Sequence, residues 1–154
     1  MIETRHVKQT EISLLYTLIK ELGDYLGDEI EMDEAALEKA IFTDHSCHSF
    51  IVFHDQKPCG YALYYYTFST MTGKKGIYLL DLYVRENARG LGLGKKLFIA
   101  LASLAKQEDC CRIDWDCLKW NQGSMEMYRA IGASIRDDHE FLRLELPQIE
   151  ALLK

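Results

Sequence analysis

The chain has 154 residues, of which 48% are apolar and 27% charged, with only 2 prolines. That is enough for one hydrophobic core, too little for two ordinary ones, and unlike the composition of a disordered chain. A formal charge of −6 argues against nucleic acid as a partner, and no apolar run approaches the ~18 residues of a membrane span.

Met1-Ile-Glu-Thr-Arg-His6 lacks the apolar stretch of a secretory signal, so a cytoplasmic location is expected. Ile12, Leu15, Leu18, Ile19, Leu22, Tyr25 and Leu26 recur at three and four, which predicts a helix over 11–26 capped by Thr10. A shorter helix is expected from Asp33 through Leu37, Ala40 and Ile41. Ser49–Phe53 and Cys59–Phe68 are β-rich runs joined by Asp55-Gln-Lys-Pro58, a hairpin signal. Residues 69–76 are polar and read as a loop, and Ile77–Val84 reads as a strand suited to the centre of a sheet. Leu93, Leu97, Leu101, Leu104 and Ala105 form a helical stripe ending near Glu108. A strand over Arg112–Leu118, a helix over Ser124–Ile131 stopped by Gly132, and a last strand over Phe141–Leu146 before Pro147 complete the reading. The order ααβββαβαβ, without repeat or linker, predicts one mixed α/β domain over 1–154.

Two charge clusters stand out. Residues 21–38 carry eight acids and no Lys or Arg, a surface suited to a cation or simply a solvated helical face. Residues 81–106 reverse the balance, with Arg85, Arg89, Lys95, Lys96 and Lys106 against Asp81 and Glu86. The five cysteines, Cys47, Cys59, Cys110, Cys111 and Cys117, form an odd set without paired spacing and read as reduced thiols. His45-Ser-Cys-His48 holds ligand-type residues without a partner set, so it reads as a loop and no metal is expected.

The sharpest signal is Arg89-Gly90-Leu91-Gly92-Leu93-Gly94-Lys95, between a buried strand and a strong helix. Alternate glycines let a ligand approach the backbone, and the helix start offers unpaired N–H groups at a positive dipole end. The pattern suits a pyrophosphate; an ordinary tight turn is the plain alternative. It is not a Walker loop, because Arg89 and Lys96 stand where the first Gly and the Ser or Thr belong. Nor does G-x-G-x-G match the dinucleotide spacing G-x-G-x-x-G.

These residues resemble the R/Q-x-x-G-x-G/A loop of the GNAT acyl-CoA-dependent N-acetyltransferases. Downstream, Trp120-Asn-Gln-Gly-Ser-Met-Glu-Met-Tyr-Arg-Ala-Ile-Gly-Ala133 is similar to that family's W-N-x-x-S-x-x-x-Y-x-x-x-G-A segment. Ile19-Lys-Glu-Leu22 and Tyr64-Tyr-Tyr-Thr67 point to its diamine and polyamine branch. The resemblance implies a central mixed, mostly antiparallel sheet flanked by helices, acetyl-CoA as co-substrate, a small-molecule amine acceptor and a homodimer. It further implies that main-chain groups of Leu82, Tyr83 and Val84 pair with the pantetheine arm. Arg89, Gly90, Leu91, Gly92, Leu93, Gly94 and Lys95 would hold the pyrophosphate, with Asn121 and Ser124 facing the cofactor. Tyr128 takes the place of the general acid: the leaving thiolate needs a proton, which a phenol with pKa about 10 can supply to a thiol near 8.5 once its surroundings tune it. Tyr25 and Asp116 are the candidate substrate contacts.

The chain also departs from that branch. Where polyamine acetyltransferases read Leu-Glu-Asp, with the Glu helping to strip the acceptor's proton, this strand reads Leu79-Leu80-Asp81. Asp81 is not expected to stand in for the Glu, because neighbouring strand side chains point to opposite faces. Two further acids of the branch align with Leu26 and Ser69. A short acceptor with a single amine is therefore expected, deprotonated by water or by Asp116, which with Asp114 falls on one face of the adjoining strand. A CoA-binding module without catalysis and an acetyltransferase for a protein or peptide amine are the alternatives. A covalent acyl-cysteine route would need a low-pKa thiol beside a base, which the sequence does not display.

Overall fold

The computed structural model describes all 154 residues. They divide into two compact units, Met1–Asp116 and Cys117–Lys154. In the first unit five strands lie in the order β1 (Ile2–His6), β2 (His48–His54), β3 (Lys57–Ser69), β4 (Lys74–Val84) and β5 (Ile113–Trp115). All neighbours are antiparallel except β4 and β5, which are parallel. Three helices accompany them: α1 (Ile12–Leu26), α2 (Glu34–Glu38) and α3 (Leu93–Gln107).

Strand β1 carries no strong sequence signal. Glu3 and Arg5 interrupt its apolar pattern, as suits an edge strand whose charges discourage further pairing. Helix α1 runs as its periodicity demands, but Thr10 lies in a 3₁₀ turn, Gln9–Glu11, instead of capping it. Gly27 closes α1 in the left-handed region, at φ 75°. Asp33 caps α2 by accepting the Ala36 N–H at 2.8 Å, and the chain then continues through a wider turn over Lys39–Thr43. The β2–β3 connection is the expected hairpin, with Asp55 and Gln56 both at positive φ. The polar segment expected as a loop shrinks to the turn around Gly73, since Lys74–Gly76 already pair with β3.

The two faces of the sheet are filled differently. On one, Leu15, Leu18 and Ile19 of α1, Leu37 of α2 and Ile41 of the wider turn after it meet Ile51, Phe53, Tyr61 and Leu63. The other set, Phe50, Val52, Ala62, Tyr64, Ile77 and Leu79, alternates with the first and is covered by α3 through buried Leu93, Leu97, Phe98 and Leu101. Every fully buried large side chain of the protein lies in this first unit.

The second unit holds α4 (Gln122–Ala130) and α5 (Leu146–Ala151). The expected strand over Phe141–Leu146 does not form: residues 141–145 are irregular and no strand pairs with them, leaving Phe141 79% and Leu142 87% exposed. An alternating segment becomes a strand only where a neighbour takes its hydrogen bonds. Pro147, in the first turn of α5, instead starts a helix, where its missing N–H costs nothing. Strand β5 is also shorter than expected, ending at Trp115, so Asp116 lies beyond it.

Candidate active site

Strand β4 changes character at Leu80. Ile77, Tyr78 and Leu79 pair with β3 on one side and with Ile113, Asp114 and Trp115 of β5 on the other. Beyond Leu79 the β5 pairing stops, while the β3 pairing runs on to Val84. The Arg85 N–H donates to the Cys59 carbonyl at 2.8 Å, so by antiparallel alternation Tyr83 and Asp81 exchange hydrogen bonds with β3. Leu82 and Val84 then direct their amides and carbonyls outward along an open edge. Of the three residues expected to meet a pantetheine arm, Leu82 and Val84 present main chain, and Tyr83 does not. The Val84 carbonyl accepts from Arg89 Nε at 3.0 Å.

This edge leads into the glycine loop. Gly90 and Gly92 adopt φ of 83° and 75°, and a Cβ at either would meet no protein atom within 4 Å. The positive φ favours glycine, and the open space is what a bulky anion needs. Gly92 is the N-cap of α3 with no side chain capping it, so the first amides of the helix, at Leu93, Gly94 and Lys95, face outward from a positive dipole end. Leu93 offers only its main chain, because its side chain is buried. Leu91 and Lys95 are exposed. An open strand edge running into an uncapped glycine-rich helix start fits a long ligand with an amide-bearing arm and a pyrophosphate, which is what CoA is. When bound, acetyl-CoA supplies the activated acetyl group; the chain supplies the edge, the cradle and the proton transfers.

Three expected roles change in the structure. Arg85 belongs to no anion site: its guanidinium is clamped on Glu21, at 2.7 Å from Nη2 to Oε1 and 3.0 Å from Nε to Oε2, and Nη1 donates to the Pro58 carbonyl. Glu21 also accepts the Tyr83 hydroxyl at 3.2 Å, and the Arg85 contact holds its carboxyl below the usual range. The clamp therefore fastens α1 to the end of β4 and removes one acid from the 21–38 cluster. Tyr25 lies beneath Arg89, ring to guanidinium 4.9 Å, which puts it beside the glycine loop. Asp116, just past the end of β5, accepts the Tyr78 hydroxyl at 2.6 Å, and Asp114, opposite Tyr78 in the sheet, is engaged by Arg112 at 3.3 Å.

Asn121, Ser124 and Tyr128 form one stripe of α4. They are half-buried, whereas Gln122, Gly123, Glu126 and Arg129 are exposed. Asn121 Oδ1 caps the helix by accepting the Ser124 N–H at 3.4 Å. Among the histidines, His48 packs against the Tyr64 and Tyr66 rings, both at 5.4 Å between centroids. Burial pushes the Cys47 and Cys110 thiols up, away from nucleophilic character.

A five-stranded mixed sheet whose central strand is released on one side before a glycine-rich helix start defines a CoA-dependent acyltransferase. Residues 15–133 match the Acetyltransferase (GNAT) family, and the chain belongs to it; it is an N-acetyltransferase. It is 34% identical over 140 residues to the thialysine N-epsilon-acetyltransferase of Bos taurus, covering 84% of this chain and 82% of that protein. The Homo sapiens spermidine/spermine N(1)-acetyltransferase-like protein 1 is 32% identical over 85% of this chain but only 20% of its own length. Among solved structures, an integron cassette protein from the V. cholerae mobile metagenome superposes with a TM-score of 0.82 at 28% identity, over 99% of this chain and 98% of that one.

Proposed function

We propose that the protein transfers an acetyl group from acetyl-CoA to the primary amine of a short small molecule, by direct attack within a ternary complex. The observation that carries this reading is the continuity of the open β4 edge, Leu82 to Val84, with the cradle at Gly90–Lys95. In this reading Arg89, Leu91 and Lys95 border the pyrophosphate, Asn121 and Ser124 face the cofactor, and Tyr128 protonates the departing thiolate. Residues 1–154 serve as one catalytic domain, a reading supported by a family match that runs across the division at Asp116. The five free thiols suit a reducing cytoplasm, and family resemblance supports a homodimer.

The acceptor is a short monoamine or an amino acid with a terminal side-chain amine, the latter in line with the relative named for thialysine. Leu26, Ser69 and Leu80 remove the spaced acids that a long polycation would engage. The test is released thiol from acetyl-CoA across a panel of amino-acid amines, monoamines and polyamines. Turnover is expected, greatest on a short monoamine or an amino-acid amine. No turnover despite CoA binding would make the protein a binding module, and preference for spermine would overturn the acceptor class.

A further inference from the structure

The pairing of β3 with β4 shifts register at one point. Leu63 lies opposite Asp81 and Tyr64 opposite Leu79, so Leu80 is an extra residue, a β-bulge. In an unbroken strand Asp81 would share the α3 side with Ile77 and Leu79, and position 80 would point to the other side. The bulge breaks that alternation. Cross-strand neighbours share a face, so Asp81, opposite Leu63, joins the side covered by α1 and α2, as Tyr83 does opposite Tyr61. Leu80 is turned out and 55% exposed. Asp81 therefore occupies the face that the sequence assigned to position 80.

Its surroundings are those of a group waiting for a cation. The carboxylate is half-buried and accepts one hydrogen bond, from the Tyr61 hydroxyl to Oδ2 at 3.0 Å; its other oxygen is not sealed from solvent. No Lys, Arg or His pairs with it. The titratable groups facing it are the Tyr61 phenol from β3 and the Cys47 thiol ahead of β2, both neutral. A carboxylate with one hydrogen bond, no cation beside it and an oxygen still open to solvent is free to take a cationic partner, and this one stands where β4 opens.

Resting on the acetyltransferase reading, we propose that Asp81 anchors the acceptor's ammonium group and takes its proton. The N–H bond breaks toward Oδ1, and the freed lone pair attacks the thioester carbon. A C–N bond forms, the C–S bond breaks, and the thiolate takes the phenolic proton of Tyr128. The second ammonium proton restores that phenol through solvent, and Asp81 returns its own to water. Overall, ammonium and acetyl-CoA give amide, CoA thiol and one proton. Burial also pushes the Asp81 carboxyl up, which brings it nearer the amine whose proton it takes.

Asp81→Asn keeps the shape and the Tyr61 hydrogen bond while deleting the base. With an ordinary alkylamine, kcat/KM at neutral pH is expected to fall about 10²-fold or more, the usual scale of base catalysis. With 2,2,2-trifluoroethylamine, already neutral at that pH, the loss shrinks to a few-fold, and acetyl-CoA affinity by calorimetry is unchanged. Because the folded state raises this carboxyl, its charge opposes folding once pH rises above the unfolded value, so Asp81→Asn should raise Tm at neutral pH. Tyr61→Phe, which removes the one bond to the carboxylate, should move the acid limb of the kcat/KM profile to higher pH. Equal losses on both amines, or an unchanged rate on the alkylamine, overturns the assignment while leaving the wild-type activity standing. A wild type without turnover on any amine overturns the acetyltransferase reading itself, and this assignment with it.

Discussion

The two halves of β4 share one strand and have different occupations. Lys74–Leu79 is paired to β3 throughout and, from Ile77, to β5 as well, with Ile77 and Leu79 buried under α3. Its Ile77 N–H donates to the Arg112 carbonyl at 3.0 Å. Leu80–Val84 is paired on one side only and keeps none of its side chains fully buried. The first half spends its backbone on the fold; the second keeps backbone in reserve for a ligand. What holds the second half without closing it is a set of contacts on its other side. Gly60 lets β3 approach so closely that a Cβ there would lie 2.2 Å from the Tyr83 carbonyl oxygen, and the Glu21 clamp on Tyr83 and Arg85 ties the end to α1.

Substitutions should separate the halves. Ile77→Ala, in the doubly paired half, should cost about 2–5 kcal/mol of stability by denaturant unfolding, with acetyl-CoA affinity of the folded protein kept. A comparable loss of affinity would erase the distinction. Gly92→Val acts on the ligand side: a branched side chain enters the cradle, and acetyl-CoA affinity measured by calorimetry should fall by about 3 kcal/mol, roughly 150-fold. Tyr128→Phe keeps the ring and deletes the proton donor, so kcat should drop about 10²-fold while acetyl-CoA still binds. If kcat stays within about threefold, the phenol is a packing residue.

The smallest effect is expected at the clamp, where Glu21→Gln should cost about 1 kcal/mol. Its pH dependence carries a definite sign. Glu21 is held below the usual carboxylate pKa, so its contribution is complete above that usual value and is lost as pH falls through the lower, folded one. The Gln variant should lack that part of the acid destabilisation, and identical acid limbs in both proteins would show that the clamp adds nothing to the second half of β4.

Where an element answers to its own neighbours in sequence, the residues alone were enough. The apolar stripe of α1 and the glycines at 90 and 92 depend on local periodicity and backbone freedom, and each stands where its spacing placed it. The mixed, mostly antiparallel sheet follows from the same patterning together with the family resemblance. Tertiary structure decided the rest, because the deciding contacts join residues far apart in the chain. Phe141–Leu146 alternates like a strand, yet no neighbouring edge takes its hydrogen bonds. Arg85 looks like a phosphate ligand until Glu21, 64 residues away, neutralises it. Alternation along β4 sends Asp81 to the wrong face, since nothing in Leu79-Leu80-Asp81 announces that β3 skips a residue there. A bulge belongs to a pair of strands, so its consequence for the site appears only once both strands are in place.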